Sequence, residues 1–195
     1  QLYKLSLAGN PLCKIPEPLV LKLTGLRVLD ISQCGLNALP ERWELPNLKR
    51  LNLSHNRLEE FPNEIICALP DLQALELYGN KISQLTLPKD ASELSKLDYL
   101  DVGSNILTSI PDDLTKFHSL KTFKCMNNTL EVIPPAVCEM DLRVFDVSSN
   151  PLVQPPLETC ERGLHSMRRY YHALKLEEMA GPESSQASPK NNILK

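Results

Sequence analysis

The stretch KRLNLSHNRLEEFP, Lys49 to Pro62, decides how this chain folds. With Leu48 ahead of it, the apolar residues are Leu48, Leu51, Leu53, Leu58 and Phe61, and Asn56 lies inside the longest gap. Steady alternation would mark a half-buried strand, and steps of three and four a helical stripe. This spacing is neither. Read outward, the pattern L-x-x-L-x-L-x-x-N-x-L recurs along the chain. It fits Leu2, Leu5, Leu7, Asn10, Leu12, then Leu26, Leu29, Ile31, Cys34, Leu36, and the quoted stretch itself. It fits Leu72, Leu75, Leu77, Asn80, Ile82, and Leu97, Leu100, Val102, Asn105, Leu107. The last two copies are Leu120, Phe123, Cys125, Asn128, Leu130 and Leu142, Phe145, Val147, Asn150, Leu152. The seven starting positions are 24, 22, 24, 25, 23 and 22 residues apart. Repetition at this period marks a solenoid, in which no unit buries its apolar side without its neighbours.

Each copy divides into two halves. In the first, a segment such as Asn52-Leu53-Ser54 reads as a short strand with alternate side chains on opposite faces. Leu51 and Leu53 point inward; Asn52 and Ser54 are expected outward. The asparagine falls where the chain leaves the strand, and its amide can satisfy backbone groups of adjacent turns. The second half carries an apolar-proline pair: Ile15-Pro16, Leu39-Pro40, Phe61-Pro62, Ile110-Pro111 and Ile133-Pro134, with Leu87-Pro88 in the longer fourth copy. Proline suits the first turn of a helix. Ile110, Leu114 and Phe117, like Phe61, Ile65 and Leu69, follow at helical spacing, so a short helix is expected on the outer side of the copies.

The template resembles the leucine-rich repeat over Leu2 to about Cys160. The resemblance implies an α/β leucine-rich-repeat solenoid, with a curved parallel sheet on the concave face and short helices on the convex face. Cys34 stands where copy two would carry asparagine, a common substitute in that family and read here as an inert buried thiol. After the seventh copy comes VQPPLETCERGLHSMRRYYHALKLEEMAG, Val153 to Gly181. Pro155 and Pro156 open a short helical turn and Gly163 fits its exit. Leu164, Met167, Tyr171 and Leu174 then form an apolar stripe, with Arg162, Arg168, Arg169 and Lys175 on the other faces. This end is similar to that of the arrays in Ras-associated scaffolds, Roco-type kinases and a ubiquitin-ligase family. The expected division is an array over 1–160, a C-terminal capping helix over 161–180 and a flexible tail or linker over 181–195. In the tail, Ser188-Pro189 is a candidate phosphorylation site. A bare first strand directly after Gln1 would expose an apolar edge, so the chain reads as a fragment of a larger protein.

Composition narrows the function. Apolar residues make up 42% of the chain but aromatics only 5%, so leucine must build the core. A net charge of −3 gives no electrostatic reason to expect nucleic acid or an anionic membrane. No apolar run approaches the roughly 20 residues of a membrane span. The cysteines, at 13, 34, 67, 125, 138 and 160, include no C-x-x-C. They read as reduced thiols of a cytoplasmic protein, against the alternative of three disulfides in a secreted one. The histidines, His55, His118, His165 and His172, lack ligand partners at metal spacing. There is no glycine-rich phosphate loop, and the carboxylates are scattered along the copies. No catalytic residue, metal site or cofactor is expected.

What remains is a surface. The central outward row of the sheet is expected to be Ser6, Asp30, Asn52, Glu76, Asp101, Lys124 and Asp146. The row two residues earlier is Lys4, Val28, Arg50, Ala74, Tyr99, Thr122 and Val144. The row two residues later is Ala8, Ser32, Ser54, Tyr78, Gly103, Met126 and Ser148. The candidate partner-binding residues are Arg50, Asn52, Glu76, Tyr78, Tyr99, Asp101, Lys124 and Met126, since large rings and arginine dominate binding hot spots. The sequence thus points to a non-catalytic module that binds a protein partner on its concave sheet face, within an intracellular signalling or scaffold protein. Two alternatives stand beside it: the recognition or regulatory arm of a multidomain enzyme (kinase, phosphatase or ubiquitin ligase), and an extracellular receptor segment.

Overall fold

The computed structural model describes residues 2–87 and 96–180. Its seven strands fall at the centres of the seven copies: β1 Lys4–Ser6, β2 Val28–Asp30, β3 Arg50–Asn52, β4 Ala74–Glu76, β5 Tyr99–Asp101, β6 Thr122–Lys124 and β7 Val144–Asp146. They pair in parallel, in sequence order, in one open sheet. The register puts Leu29, Leu51, Leu75, Leu100 and Phe123 side by side, all buried. A second inward line, Ile31, Leu53, Leu77, Val102 and Cys125, is buried beside it. Fully burying one such aliphatic side chain is worth about 1.5–3 kcal/mol, so a period-locked pattern of leucine stabilises the stacked array even though each strand has only three residues. Past the last full layer, Phe123 and Phe145 stack with ring centroids 5.7 Å apart.

The asparagines form a ladder behind the strands. Asn105 accepts the Ile82 N–H at 3.0 Å through Oδ1, and its Nδ2 donates to the Leu77 and Val102 carbonyls. Asn56, Asn80, Asn128 and Asn150 repeat this, each accepting an N–H of the preceding copy and donating to carbonyls of both copies. Each amide therefore ties two adjacent turns together by satisfying backbone groups in both. Cys34 holds the same place with a thiol that donates to the Leu7 carbonyl at 3.2 Å.

The outer side is less regular than the apolar-proline pairs suggest. Helices follow in four copies: α1 Glu17–Lys22, α2 Asn63–Cys67, a 3-10 turn at Asp112–Lys116, and α3 Pro135–Cys138. Copy two has no helix between Leu36 and Leu48. Pro40 and Pro46 lie only six residues apart, and the residue before a proline avoids helical backbone, which confines any turn to positions 41–44. Trp43 fills the space instead, buried with its indole N–H donating to the Pro40 carbonyl at 2.9 Å. Pro88 of the fourth pair lies outside the described residues. The prolines also sit one place earlier than expected. Pro16, Pro111, Pro134 and Pro156 are extended, with ψ between 126° and 146°, and precede the first helical residue.

At the C-terminal end, α4 Leu157–Glu161 follows Pro156, Gly163 turns the chain at φ +84°, and α5 runs over Leu164–Ala180. Helix α5 packs on α3 and α4. Met167 is buried against the Cys138 sulfur, and the Tyr171 hydroxyl donates to the Ile133 carbonyl. Arg168, off the apolar stripe as expected, has a specific role there: its Nε donates to the Cys138 carbonyl at 2.7 Å and its guanidinium to the Met140 carbonyl at 2.8 Å, tying α5 to the open C-terminal end of α3. A cation there complements the carbonyl end of a helix.

Candidate protein-binding surface

The outward row of the sheet is not uniform in chemistry. Asp30 accepts the Ser32 N–H at 3.1 Å and the Ser32 hydroxyl at 2.7 Å. Asn52 accepts the Ser54 N–H at 2.9 Å, Asp101 the Gly103 N–H at 2.9 Å, and Asp146 the Ser148 N–H at 3.1 Å. These four side chains close the same turn at the strand exit, an aspartate or asparagine bonding the backbone two residues on. The residue two on is serine or glycine each time. Ser32 and Ser54, expected to face outward, are buried by this turn.

Three copies depart from this pattern. In copy one the pair is Ser6 and Ala8, and the Ser6 hydroxyl donates across to Asp30 at 3.3 Å; the other two carry longer side chains. In copy four the pair is Glu76 and Tyr78; in copy six it is Lys124 and Met126. Glutamate is a methylene too long and lysine has no acceptor, so both longer side chains are released onto the concave face. Glu76 makes no hydrogen bond and no ion pair among the described residues. Burial pushes its carboxyl above the usual carboxylate range, and the neighbouring Asp101 and Asp30 charges add to this, with Arg50 and Lys124 opposing.

Copy five lies between the two and is shaped to fit them. A Cβ at Gly103 would stand 3.0 Å from Tyr78 Cδ2 and 3.3 Å from Met126 Cγ. Glycine therefore lets the Tyr78 ring and the Met126 stem lie low over copy five, forming a shallow apolar saddle. His55 meets the Tyr78 ring edge-on at 5.2 Å between centroids, extending the saddle toward copy three. One row over, Lys124 Nζ lies 5.4 Å from the Tyr99 ring centroid, and the Tyr99 hydroxyl donates to Asp101 at 3.3 Å. The Tyr99 hydroxyl beside it raises the Lys124 ammonium above its ordinary range, while burial raises the Tyr99 hydroxyl.

The structure thus brings Glu76, Tyr78, Tyr99, Lys124 and Met126 together across three adjacent strands, all half-buried. Arg50 stands exposed beside them on β3, two strands from Tyr99. Asn52 and Asp101 serve differently: both close a turn, and Asp101 is only 7% exposed. Two contributors escaped the sequence reading. Gly103 is in the expected row but not among the candidate residues, and His55 enters that reading only as a metal ligand. The register itself was the signal for Gly103, since it alone places position 103 between 78 and 126.

Away from the sheet, a groove of about 940 Å³ lies along the segments after the asparagine turns of copies two to four. Glu41, Glu59, Glu60 and Glu64 line it beside Leu39, Pro40 and Phe61, and no lining residue is basic. Among the described residues, no group of three His, Cys, Asp or Glu side chains is placed to hold a metal, and no helix is long and apolar enough to cross a membrane.

Comparison with known proteins agrees with this architecture. The family model described as a leucine-rich repeat region matches residues 4–173, and the chain belongs to the leucine-rich repeat family. It is 31% identical over 147 residues to the rat leucine-rich repeat-containing G-protein coupled receptor 5, covering 75% of this chain and 16% of that receptor. It is 33% identical over 115 residues to a probable inactive serine/threonine-protein kinase, roco10, of Dictyostelium discoideum, covering 56% of this chain and 4% of the relative. A solved leucine-rich-repeat protein of Leptospira interrogans superposes with a TM-score of 0.63 at 29% identity, over 85% of this chain and 47% of that one. The chain therefore spans less than half the length of each of these proteins.

Proposed function

We propose that this array is a non-catalytic protein-interaction module whose partner docks on the concave face of copies four to six. The observation that carries the reading is the shared departure of copies four and six from the turn-closing pattern. Where copies two, three, five and seven hold a short polar residue bonded to its own backbone, and the edge copy holds Ser6, these two present Glu76 with Tyr78 and Lys124 with Met126, on either side of a glycine. A row kept only for solubility has no reason to give up a backbone hydrogen bond at two positions flanking one site. Tyrosine supplies large contact area with few rotamers to freeze, and a sheet already ordered by its neighbours loses little entropy on binding. In the longer protein this segment would act as a scaffold or signalling contact, or as the recognition arm of an enzyme such as a kinase, phosphatase or ubiquitin ligase. Buried, proton-retaining thiols at Cys125, Cys138 and Cys160 support the cytoplasmic reading.

The test is quantitative capture from a cell extract. A variant carrying Glu76→Lys, Tyr78→Ala and Met126→Ala is expected to lose the proteins that the natural array retains. A groove variant, Glu59→Lys with Glu60→Lys, is expected to keep them. The opposite pattern would move the site to the groove.

A further inference from the structure

The concave site also says what kind of segment it takes. We propose that its ligand is an extended stretch of a partner protein carrying a basic side chain, which pairs with Glu76 while the adjoining apolar part lies across the Tyr78–Met126 saddle. This rests on the concave reading above and deepens it.

Most charges of the central row are already engaged. Asp30, Asn52, Asp101 and Asp146 are engaged with backbone N–H groups two residues on. Lys124 lies against the Tyr99 ring, and Tyr99 in turn donates to Asp101. Glu76 is the carboxylate of this row with no bonded partner among the described residues, and it is half-buried. It stands in a row with Asp30 and Asp101, which disfavour its ionised form; Arg50 and Lys124 oppose them, but neither forms an ion pair with it. A cation delivered there relieves that repulsion and gains a charge-assisted hydrogen bond. The ring of Tyr78, two residues along the same strand exit, offers a face on which a guanidinium can stack. An arginine meets both demands at once; a lysine meets the first. An acidic segment would meet Glu76, Asp30 and Asp101 together and be repelled.

A phage-displayed library of twelve-residue peptides, panned against the whole chain, tests this. The expected result is enrichment of arginine or lysine. The strongest synthetic peptide should weaken about tenfold when Glu76→Gln replaces the carboxylate, and equally when its own basic residue becomes glutamine. The two changes together should cost no more than either alone. Glu76 holds no hydrogen bond, so Glu76→Gln should leave the unfolding midpoint in place and the loss is read as binding. Peptides without a basic residue, or peptides indifferent to Glu76→Gln yet lost on Tyr78→Ala, overturn the cation pairing and leave the concave reading standing. Peptides indifferent to Glu76→Gln, Tyr78→Ala and Met126→Ala overturn both. A library that yields no binder overturns docking of an extended segment.

Discussion

Replacing Asn105 by alanine tests whether the ladder holds the array together. The side chain is 7% exposed and makes four hydrogen bonds: one accepted from Ile82 N–H, and three donated to the Leu77, Val102 and Gly103 carbonyls. The carbonyls keep other partners in the variant. Leu77 retains Asn80 Nδ2, Val102 retains Asn128 Nδ2, and Gly103 retains the Gly79 N–H. The Ile82 N–H has no substitute. Orphaning one buried donor costs about 1–3 kcal/mol, and each lost net hydrogen bond about 0.5–1.5 kcal/mol. The amide has two N–H groups, shared among the three carbonyls, so one orphaned donor and two lost bonds make the loss about 2–6 kcal/mol, a large part of the roughly 5–15 kcal/mol that stabilises a typical domain. Asn10 is the matched control. It donates to the Leu7 and Ala8 carbonyls but is exposed, so water replaces it and Asn10→Ala should cost less than about 1 kcal/mol. Urea unfolding followed by circular dichroism reads both, as shifts in midpoint at unchanged slope. Equal costs at the two positions, or an Asn105→Ala cost below about 0.5 kcal/mol, would refute the ladder argument.

Other expectations follow from the same geometry. Gly79→Ala should destabilise by more than about 1 kcal/mol in thermal unfolding, because position 79 is at φ +70° and a Cβ there meets His55 Nδ1 at 2.7 Å. Arg168→Ala should leave the strands intact while amide hydrogen exchange in α5 speeds up, since it removes two ties to α3. Burial pushes the Cys138 thiol up to about 12 and the Cys160 thiol up to about 11. Both should resist alkylation at pH 8 in the folded protein, where exposed Cys13 reacts. The linked stability is fully present below the ordinary thiol value near 9 and is lost as pH rises through the folded values; a flat pH profile of the urea midpoint between pH 9 and 12 would contradict this. The Glu76 carboxyl is raised, so affinity for a basic peptide should fall with decreasing pH before an ordinary exposed glutamate would protonate, and fall again with added salt.

Much of this architecture is legible in the sequence because a solenoid repeats one local decision. Leu51, Leu75 and Leu100 are stacked since each unit has the same solution to burying its apolar side. The outer side is harder to read, because proline spacing and tryptophan packing override helical periodicity in copy two. The surface divides the same way. Tyr78, Tyr99 and Met126 can be found by listing large residues at outward positions. That Asp101 closes a turn while Glu76 does not is invisible to such a list, since it depends on side-chain reach by a single methylene. The role of Arg168 is hidden for a related reason: a helical wheel shows faces but not which carbonyls a neighbouring helix leaves open.

The methionines give the most direct measurement. Met126 lies on the saddle, Met167 is buried under α5, Met140 is half-buried beside α3, and Met179 is exposed near the end of α5. With methionine methyls labelled by carbon-13, titration with the strongest selected peptide should shift the Met126 resonance and leave Met140, Met167 and Met179 in place. A stationary Met126 signal with saturable binding would contradict the concave site.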